Sequence, residues 1–209
     1  MAPSSPALSR RLLLLFALAS GLSVANVYYA QPLLDALSQD FRINQSAVGG
    51  VVTATQLGCA LALLFLVPLG DKVARKKLTG LQLSGLICAL VTVGLARTSC
   101  TLLAGMLAVG LLGTAMTQGL IAYAASVASE SERGRVVGAA QTGVFIGLLL
   151  SRVFSGAISD VTGWRGVYFC AALMMLLLAW PLWRGLPAVP VSSNGLSYAR
   201  LLASMWSLL

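Results

Sequence analysis

Six long apolar runs dominate this chain, and they restrict its fold more than any other feature. About 20 consecutive apolar residues form a helix long enough to cross the hydrocarbon core of a bilayer. Runs of this kind, each with no more than one charged residue, occupy residues 12–34, 47–69, 78–96, 102–125, 136–158 and 167–186. Because the runs are continuously apolar instead of alternating with polar residues, a membrane β-barrel is excluded.

The composition also places the chain in a lipid environment. Apolar residues make up 58% of it and charged residues 10%, whereas a soluble domain carries about 25% charged residues. There is no histidine, and none of the four cysteines forms a CxxC pair, so the sequence offers no metal site and no disulfide framework. It also lacks a phosphate-binding glycine loop and a nucleophile–base pair, so we expect no cofactor and no enzyme activity.

The basic residues predict the orientation of the chain, because cytoplasmic loops of membrane proteins are enriched in Lys and Arg. With a cytoplasmic N-terminus, ten of the 14 Lys and Arg residues lie on the cytoplasmic side, three lie outside, and Arg152 lies within a run. We therefore expect both termini in the cytoplasm and no nucleic-acid partner. The start of the first run resembles a signal peptide, but five further runs follow it, so we expect an uncleaved first helix.

A repeated pattern links the second and fifth runs. Gln56-Leu57-Gly58 is followed 85 residues later by Gln141-Thr142-Gly143, and Asp71 is followed 89 residues later by Asp160. With six spans, the equivalent residues face opposite sides of the membrane. The pattern predicts an all-α membrane protein with six transmembrane helices arranged as two inverted three-helix repeats. Chance similarity of two short patterns is the alternative.

Glycines in the fourth and fifth runs predict close contact between helices. Small residues spaced four positions apart let two helix backbones approach within a membrane. Gly134 and Gly138 have this spacing, as do Gly143 and Gly147, and Gly110 and Gly113 lie three positions apart in the fourth run.

The loop after the second run, PLGDKVARKKL, carries the most specific signal. Anchoring at the cytoplasmic surface explains its four cations but not its carboxylate, which can pair with a neighbouring helix and be released when helices move. The stretch resembles the loop between helices two and three of the major facilitator superfamily, G-x-x-x-D-R-x-G-R-R/K. The resemblance implies that a gating charge cluster is formed by Asp71, Lys72, Arg75 and Lys76.

Further motifs extend the resemblance over residues 10–186. SERGRVVG, with Arg133 and Arg135, is similar to the family's cytoplasmic R-G-R-x-x-G loop, and GWRGVYF is similar to its G-W-R-x-x-F motif. Val67 and Ala74 replace the two glycines of the gating loop. The arginine that antiporters of the family carry in helix four is absent, as is their G-P-x-x-G-G pattern in helix five. These departures weaken an assignment to drug/proton antiport.

The resemblance implies one six-helix half of a transporter in a bacterial inner membrane. Such a protein would carry out secondary active transport of a small solute by alternating access. Proton coupling and efflux are implied by the resemblance alone. The implied partners are the lipid bilayer, a small-molecule substrate, protons, and either the missing C-terminal six-helix half or a second copy of the chain.

Polar residues inside the runs are the candidate substrate contacts, because helices one, two, four and five line the central cavity in that family. The candidates are Asn26, Tyr29, Gln56, Gln118, Gln141 and Arg152. Arg152 must face protein or water, so it either binds an anionic solute, reaches the outer interface, or pairs with Asp35 or Asp160. For each amide, a hydrogen bond between helices is the alternative.

The six runs divide the chain into three parts. Residues 1–11 form a cytoplasmic N-terminus, residues 12–186 form the six-helix unit, and residues 187–209 form a cytoplasmic linker and the start of a truncated following helix. The linker, PAVPVSSNG, is typical of a connection between domains. We expect a truncated transporter, and the alternatives are an inactive fragment, a half that dimerises, or a six-helix channel or accessory membrane subunit.

Overall fold

The computed structural model describes residues 9–70 and 73–187, and almost all of them are helical. The α-helices in this part of the chain are α1 Arg10–Tyr28, α2 Leu34–Phe41, α3 Gln45–Leu61, α4 Val67–Leu69, α5 Arg75–Gly94, α6 Ser99–Val127 and α7 Arg133–Gly185. A 3₁₀ turn, Gln31–Leu33, joins α1 to α2, and a π-helical segment, Ala62–Leu66, joins α3 to α4. Five helical stretches are long and apolar enough to cross a membrane. The predicted all-α membrane class is confirmed.

Polar side chains mark the points where three of these helices begin. Ser9, Asn44 and Thr98 each precede a helix, and their side-chain oxygens accept the backbone N–H three residues later at 3.3, 2.8 and 3.2 Å. These hydrogen bonds satisfy donors that have no partner inside the helix. The starts of α1, α3 and α6 are therefore set by local sequence.

The chain between the first two apolar runs is mostly helical. α2 occupies most of it and ends at Arg42, whose φ of 53° is left-handed. Leu33 and Leu37 are 2% and 0% exposed. Because apolar residues recur there at helical spacing among polar ones, the segment packs on the bundle as an amphipathic helix.

α7 contains 53 residues and would be about 80 Å long if it were straight. Gly163 interrupts it with φ 73° and ψ 172°, a combination that is essentially restricted to glycine. We therefore divide the helix into α7a, residues 133–162, and α7b, residues 164–185. Gly143 of α7a and Gly185 at the end of α7b both lie against the first half of α1, beside Ala17 and Leu15. α7b therefore runs back in the direction opposite to α7a.

The other helices also pack side by side in defined directions. α6 runs antiparallel to α1, and α5 runs antiparallel to α7b. The contacts that set these directions are Phe16 with Tyr123, Val27 with Gly113, Gly80 with Trp183 and Gly94 with Phe169. α7a runs parallel to α1, since Ala17 meets Gly143 and Tyr29 meets Phe154 farther along both helices.

Where α3 crosses α6, one helix backbone touches the other. A Cβ atom added at Gly58 would lie 2.1 Å from the carbonyl oxygen of Leu107, and one added at Gly110 would lie 2.0 Å from that of Thr55. No side chain fits between such surfaces. Close packing of this kind holds helices together in lipid, where burial of apolar surface gives no net driving force.

The crossing of α1 and α7a has the same construction. A Cβ atom at Gly143 would lie 2.0 Å from the carbonyl oxygen of Ala17, and one at Gly147 would lie 2.1 Å from that of Gly21. The predicted close packing is confirmed for Gly110, Gly143 and Gly147. It is not found at Gly134 and Gly138, where an added Cβ would meet no atom within 4 Å.

Candidate functional site

The predicted gating loop lies only partly within the described residues. Asp71 and Lys72 fall outside them, so their role stays a prediction. Arg75 and Lys76 are the first residues of α5. The ammonium group of Lys76 donates a hydrogen bond to the carbonyl oxygen of Leu186 at 3.2 Å. Lys76 therefore ties the start of α5 to the chain that leaves α7b.

A tyrosine on α6 holds the same chain segment. The hydroxyl of Tyr123 donates a hydrogen bond to the carbonyl oxygen of Pro187. Its buried ring packs edge-on against Phe16 of α1, with ring centroids 5.8 Å apart. Four elements, namely α1, α5, α6 and α7b, thus converge at this end of the bundle. We call it the basic end, because it carries Lys76, Lys77 and Arg184.

The arginines of the predicted cytoplasmic loop, Arg133 and Arg135, stay at the surface at the start of α7a. Arg135 donates to the carboxylate of Glu132 in an ion pair three residues apart. The Arg135 side chain is 54% exposed, so water and salt screen this pair and it adds little stability. Within the described residues, the ion pair is local and joins no two helices.

Four of the predicted substrate contacts are exposed on the bundle surface. They are Gln56 on α3, Gln118 on α6, and Gln141 and Arg152 on α7a. Eleven residues separate the last two, which places them on one face of the helix about 16 Å apart. Phe145 and Leu149 lie between them on that face and are 67% and 69% exposed.

Arg152 contacts an amide that was not among the candidates. Its Nη2 donates to Oε1 of Gln31, in the 3₁₀ turn after α1, at 3.5 Å. The sequence suggested Asp35 or Asp160 as a partner. A neutral amide, unlike a carboxylate, accepts the hydrogen bond without cancelling the charge of the guanidinium. The position of Gln31 at the end of the first run was the only sequence signal for this contact.

Asn26 and Tyr29, in contrast, are buried at 1% and 2% exposure. The Asn26 amide donates to the carbonyl oxygen of Leu22 at 2.8 Å, and its Oδ1 has no hydrogen-bond partner among the described residues. The Tyr29 ring packs on Phe154 with centroids 5.2 Å apart. The structure therefore buries these two candidates within the helix packing, whereas the three glutamines are exposed.

At the opposite end of the bundle, one arginine side chain contacts two other segments of the chain. Arg165, at the start of α7b, donates to the Asp40 carboxylate at 2.7 Å and to the carbonyl oxygen of Ala96 at 2.9 Å. Its guanidinium lies 4.3 Å from the centre of the Trp164 ring. A single side chain thus connects the ends of α2, α5 and α7b. The G-W-R motif drew attention to Arg165, but no local pattern predicted Asp40 as its partner.

Two grooves open on the surface of the described helices. The α1–α7 groove has a volume of about 520 Å³ and is lined by apolar residues, including the exposed Leu14, Leu18 and Leu150. The α5–α7b groove, of about 630 Å³, lies at the basic end. Neither groove is lined by the exposed glutamines or by Arg152. Within residues 9–70 and 73–187, no three His, Cys, Asp or Glu side chains could hold a metal ion.

The sequence pattern that defines the Major Facilitator Superfamily matches residues 15–206. The chain belongs to this superfamily. It is a superfamily of transporters and not of enzymes, so the predicted membership and the absence of enzyme activity are both confirmed. The chain is therefore a multi-pass membrane protein of this superfamily.

Curated relatives and a solved structure agree with this membership. The uncharacterized transporter YgaY of Escherichia coli O157:H7 is 41% identical over 208 residues, which is 96% of this chain and 50% of that protein. The inner membrane transport protein YnfM of Escherichia coli K12 is 27% identical over 161 residues, 75% of this chain and 38% of its own. A bacterial homologue of the human lysosomal transporter Spinster, in an inward-facing and occupied conformation, superposes with a TM-score of 0.75 at 19% identity, over 87% of this chain and 46% of its own. The chain spans about half the length of the curated relatives it matches.

Proposed function

We propose that this chain is the N-terminal half of a secondary active transporter that moves a small anionic solute across a bacterial inner membrane by alternating access. In this proposal the chain crosses the membrane six times, through α1, α3, α5, α6, α7a and α7b, with both termini in the cytoplasm. Proton coupling is carried over from the superfamily resemblance. The observation that carries the proposal is the exposed Arg152, which shares one face of α7a with Gln141.

The packing of two helices supports an inverted repeat. Gln56 and Gln141 are both exposed, and the glycine two residues after each one meets a backbone carbonyl of another helix. For Gly58 that helix is α6, and for Gly143 it is α1. If α1, α3 and α5 repeat as α6, α7a and α7b, these two contacts are equivalent. Inverted repeats of this kind place a substrate site near the middle of the membrane.

The charges at the two ends of the bundle support the orientation. Lys76, Lys77 and Arg184 lie at the basic end, whereas Arg165 at the other end is paired with Asp40. Cytoplasmic ends carry the excess of basic residues. The basic end therefore faces the cytoplasm in this proposal.

The position of Arg152 supports an anionic substrate. Arg152 lies 17 residues after Arg135, about 25 Å along α7a, and thus within the thickness of a bilayer. An arginine in contact with lipid chains is costly, so its charge must face protein or water. Among the described residues, the hydrogen-bond partner of Arg152 is the neutral amide of Gln31. A charged donor beside an amide suits a carboxylate group of a solute.

The exposed apolar wall of the α1–α7 groove supports a second half as the partner. Ile146, Leu150 and Val153 are 51%, 56% and 68% exposed along α7a, next to the face that carries Arg152. In a transporter of two six-helix halves, this surface would face the other half, and a second copy of the chain is the alternative. An exposed apolar patch beside polar residues is typical of an interaction site.

A flux assay tests the proposal and separates it from the alternatives. The chain would be reconstituted into liposomes, alone and together with a C-terminal half, and uptake of radiolabelled benzoate and of neutral benzamide would be followed. We expect saturable benzoate uptake that requires the second half and that Arg152→Gln reduces at least tenfold. Passive, unsaturable flux through the chain alone would indicate a channel. Absence of flux in both preparations would indicate an inactive fragment or an accessory subunit.

A further inference from the structure

We propose that the α5–α7b groove is a binding site for one anionic phospholipid, whose phosphate contacts the lysines at the rim and whose acyl chain lies along the apolar wall. This inference concerns the outer surface of the bundle and does not depend on the proposed transport function. It rests on the charge, the exposed aromatic rings and the shape of one groove.

The rim of the groove carries positive charge from two lysines. Lys76 and Lys77 line it, and neither forms an ion pair with any residue that the structure describes. The ammonium group of Lys76 donates to the carbonyl oxygen of Leu186, which leaves further N–H donors and the full charge. Arg184, one residue from this rim, lies with its guanidinium 4.5 Å from the centre of the Trp180 ring. Among the residues that the structure describes, no carboxylate lines the groove.

Two tryptophans stand at the same level as these cations. Trp180 and Trp183 are 65% and 62% exposed, although tryptophan is normally well buried in a folded protein. The Lys76 ammonium lies 5.3 Å from the centre of the Trp183 ring. Exposed indole rings beside basic residues are typical of the headgroup region of a bilayer. The rim therefore lies where a phospholipid phosphate would lie.

Away from the rim, the groove becomes apolar. Leu81 on α5 and Leu176 on α7b are 73% and 57% exposed and form its walls, with Leu83 and Ala179 behind them. The stretch of α5 from Lys76 to Ser84 extends the groove about 12 Å from the charged rim. The change from cationic to apolar along one groove matches an amphiphile with an anionic head and a hydrocarbon tail. An acidic peptide could contact the cations at the rim but has no hydrocarbon chain to cover the apolar walls.

The residues exposed on the different faces of the bundle support lipid as the occupant of the α5–α7b groove. The exposed polar candidates lie on α3, α6 and α7a, whereas the exposed residues of α7b beyond the rim are apolar, among them Phe169, Leu173 and Leu177. A helix face that exposes only large apolar residues in a membrane protein is suited to contact with lipid chains. A basic rim on such a face selects for an anionic headgroup.

Tryptophan quenching by brominated lipid tests the site. The full chain would be placed in phosphatidylcholine nanodiscs, and brominated phosphatidylglycerol or brominated phosphatidylcholine would be titrated in. We expect brominated phosphatidylglycerol to quench the tryptophan fluorescence at a lower mole fraction than brominated phosphatidylcholine does. Since one basic residue contributes about 1 kcal/mol near an anionic surface, Lys77→Gln should weaken this preference about fivefold. The double variant Lys76→Gln/Lys77→Gln should abolish it, and circular dichroism would verify that its helices are retained.

A matched variant distinguishes a site from a general surface charge. Arg133→Gln removes the same charge from the start of α7a, away from the groove, and should leave the preference unchanged. Equal quenching by the two brominated lipids would overturn the proposal. So would an equal loss of preference in Arg133→Gln and Lys77→Gln. Glycerophosphoglycerol has the headgroup of this lipid without its acyl chains. If it competed as strongly as the whole lipid, the proposal would also be overturned, because the apolar wall would then play no part.

Discussion

Replacement of Gly143 by alanine tests the packing on which the whole bundle depends. The added Cβ would lie 2.0 Å from the carbonyl oxygen of Ala17, whereas ordinary contacts begin near 3.4 Å. The helices α1 and α7a must therefore separate by about 1.4 Å or shift by as much. The atom in the way belongs to the backbone, so a change of side-chain rotamer cannot relieve the contact.

The size of the effect follows from this displacement. Forcing an extra methyl group into a packed interior costs about 1–3 kcal/mol, and we take the upper end because two backbones must move apart. Replacing glycine by alanine inside a helix returns about 1 kcal/mol through backbone entropy. We expect Gly143→Ala to lower the free energy of unfolding by about 2 kcal/mol. Its matched control, Gly138→Ala on the same helix, meets no atom within 4 Å and should be neutral or stabilising by about 1 kcal/mol.

The assay is reversible unfolding of the purified chain in mixed micelles, followed by circular dichroism during a titration with sodium dodecyl sulfate. The difference between the two variants, about 3 kcal/mol, corresponds to roughly a 100-fold change in the unfolding equilibrium constant. If Gly143→Ala and Gly138→Ala unfold at the same detergent fraction, the close crossing of α1 and α7a does not hold the bundle together and the reasoning is refuted.

Three further predictions use the same unfolding assay. Gly163→Ala should cost about 1–3 kcal/mol, because only glycine readily adopts φ 73° and ψ 172°; an unchanged stability would mean that the reversal between α7a and α7b does not need that conformation. Arg165→Gln and Asp40→Asn should show a coupling of about 0.2–1 kcal/mol in a double-mutant cycle, since their side chains are 39% and 40% exposed; strictly additive effects would show that the ion pair contributes no stability. Tyr123→Phe should cost about 1 kcal/mol through the lost hydrogen bond to Pro187, whereas Tyr168→Phe should cost less, because the Tyr168 hydroxyl donates to the weak acceptor sulfur of Met106 at 3.6 Å; the reverse order would contradict this account.

The two ends of the bundle are held together by different kinds of contact. At one end, a single partly exposed ion pair and one backbone hydrogen bond from Arg165 join three elements. At the basic end, the contacts of Lys76 and Tyr123 are both made to backbone carbonyls, of Leu186 and Pro187, and both join helices to the end of α7b.

Sequence patterns could predict the site only in outline. They singled out Arg152, Gln56, Gln118 and Gln141, which are exposed, because polar residues stand out within an apolar run. They could not distinguish these from the buried Asn26, because helices that are apolar nearly all round do not reveal which face is covered. Whether a residue on such a helix is buried depends on which neighbouring helix packs against it.

The properties that the sequence alone determined are those that depend on residues close together along the chain. Run length and hydropathy identify a helical membrane protein, side chains such as Ser9, Asn44 and Thr98 set helix starts, and superfamily motifs lie within short segments. Only the tertiary structure decided the pairing of Arg165 with Asp40 and of Arg152 with Gln31, which are 125 and 121 residues apart. It also decided which glycines meet a backbone. These features arise when helices pack, and a local pattern carries no information about which distant segment becomes its neighbour.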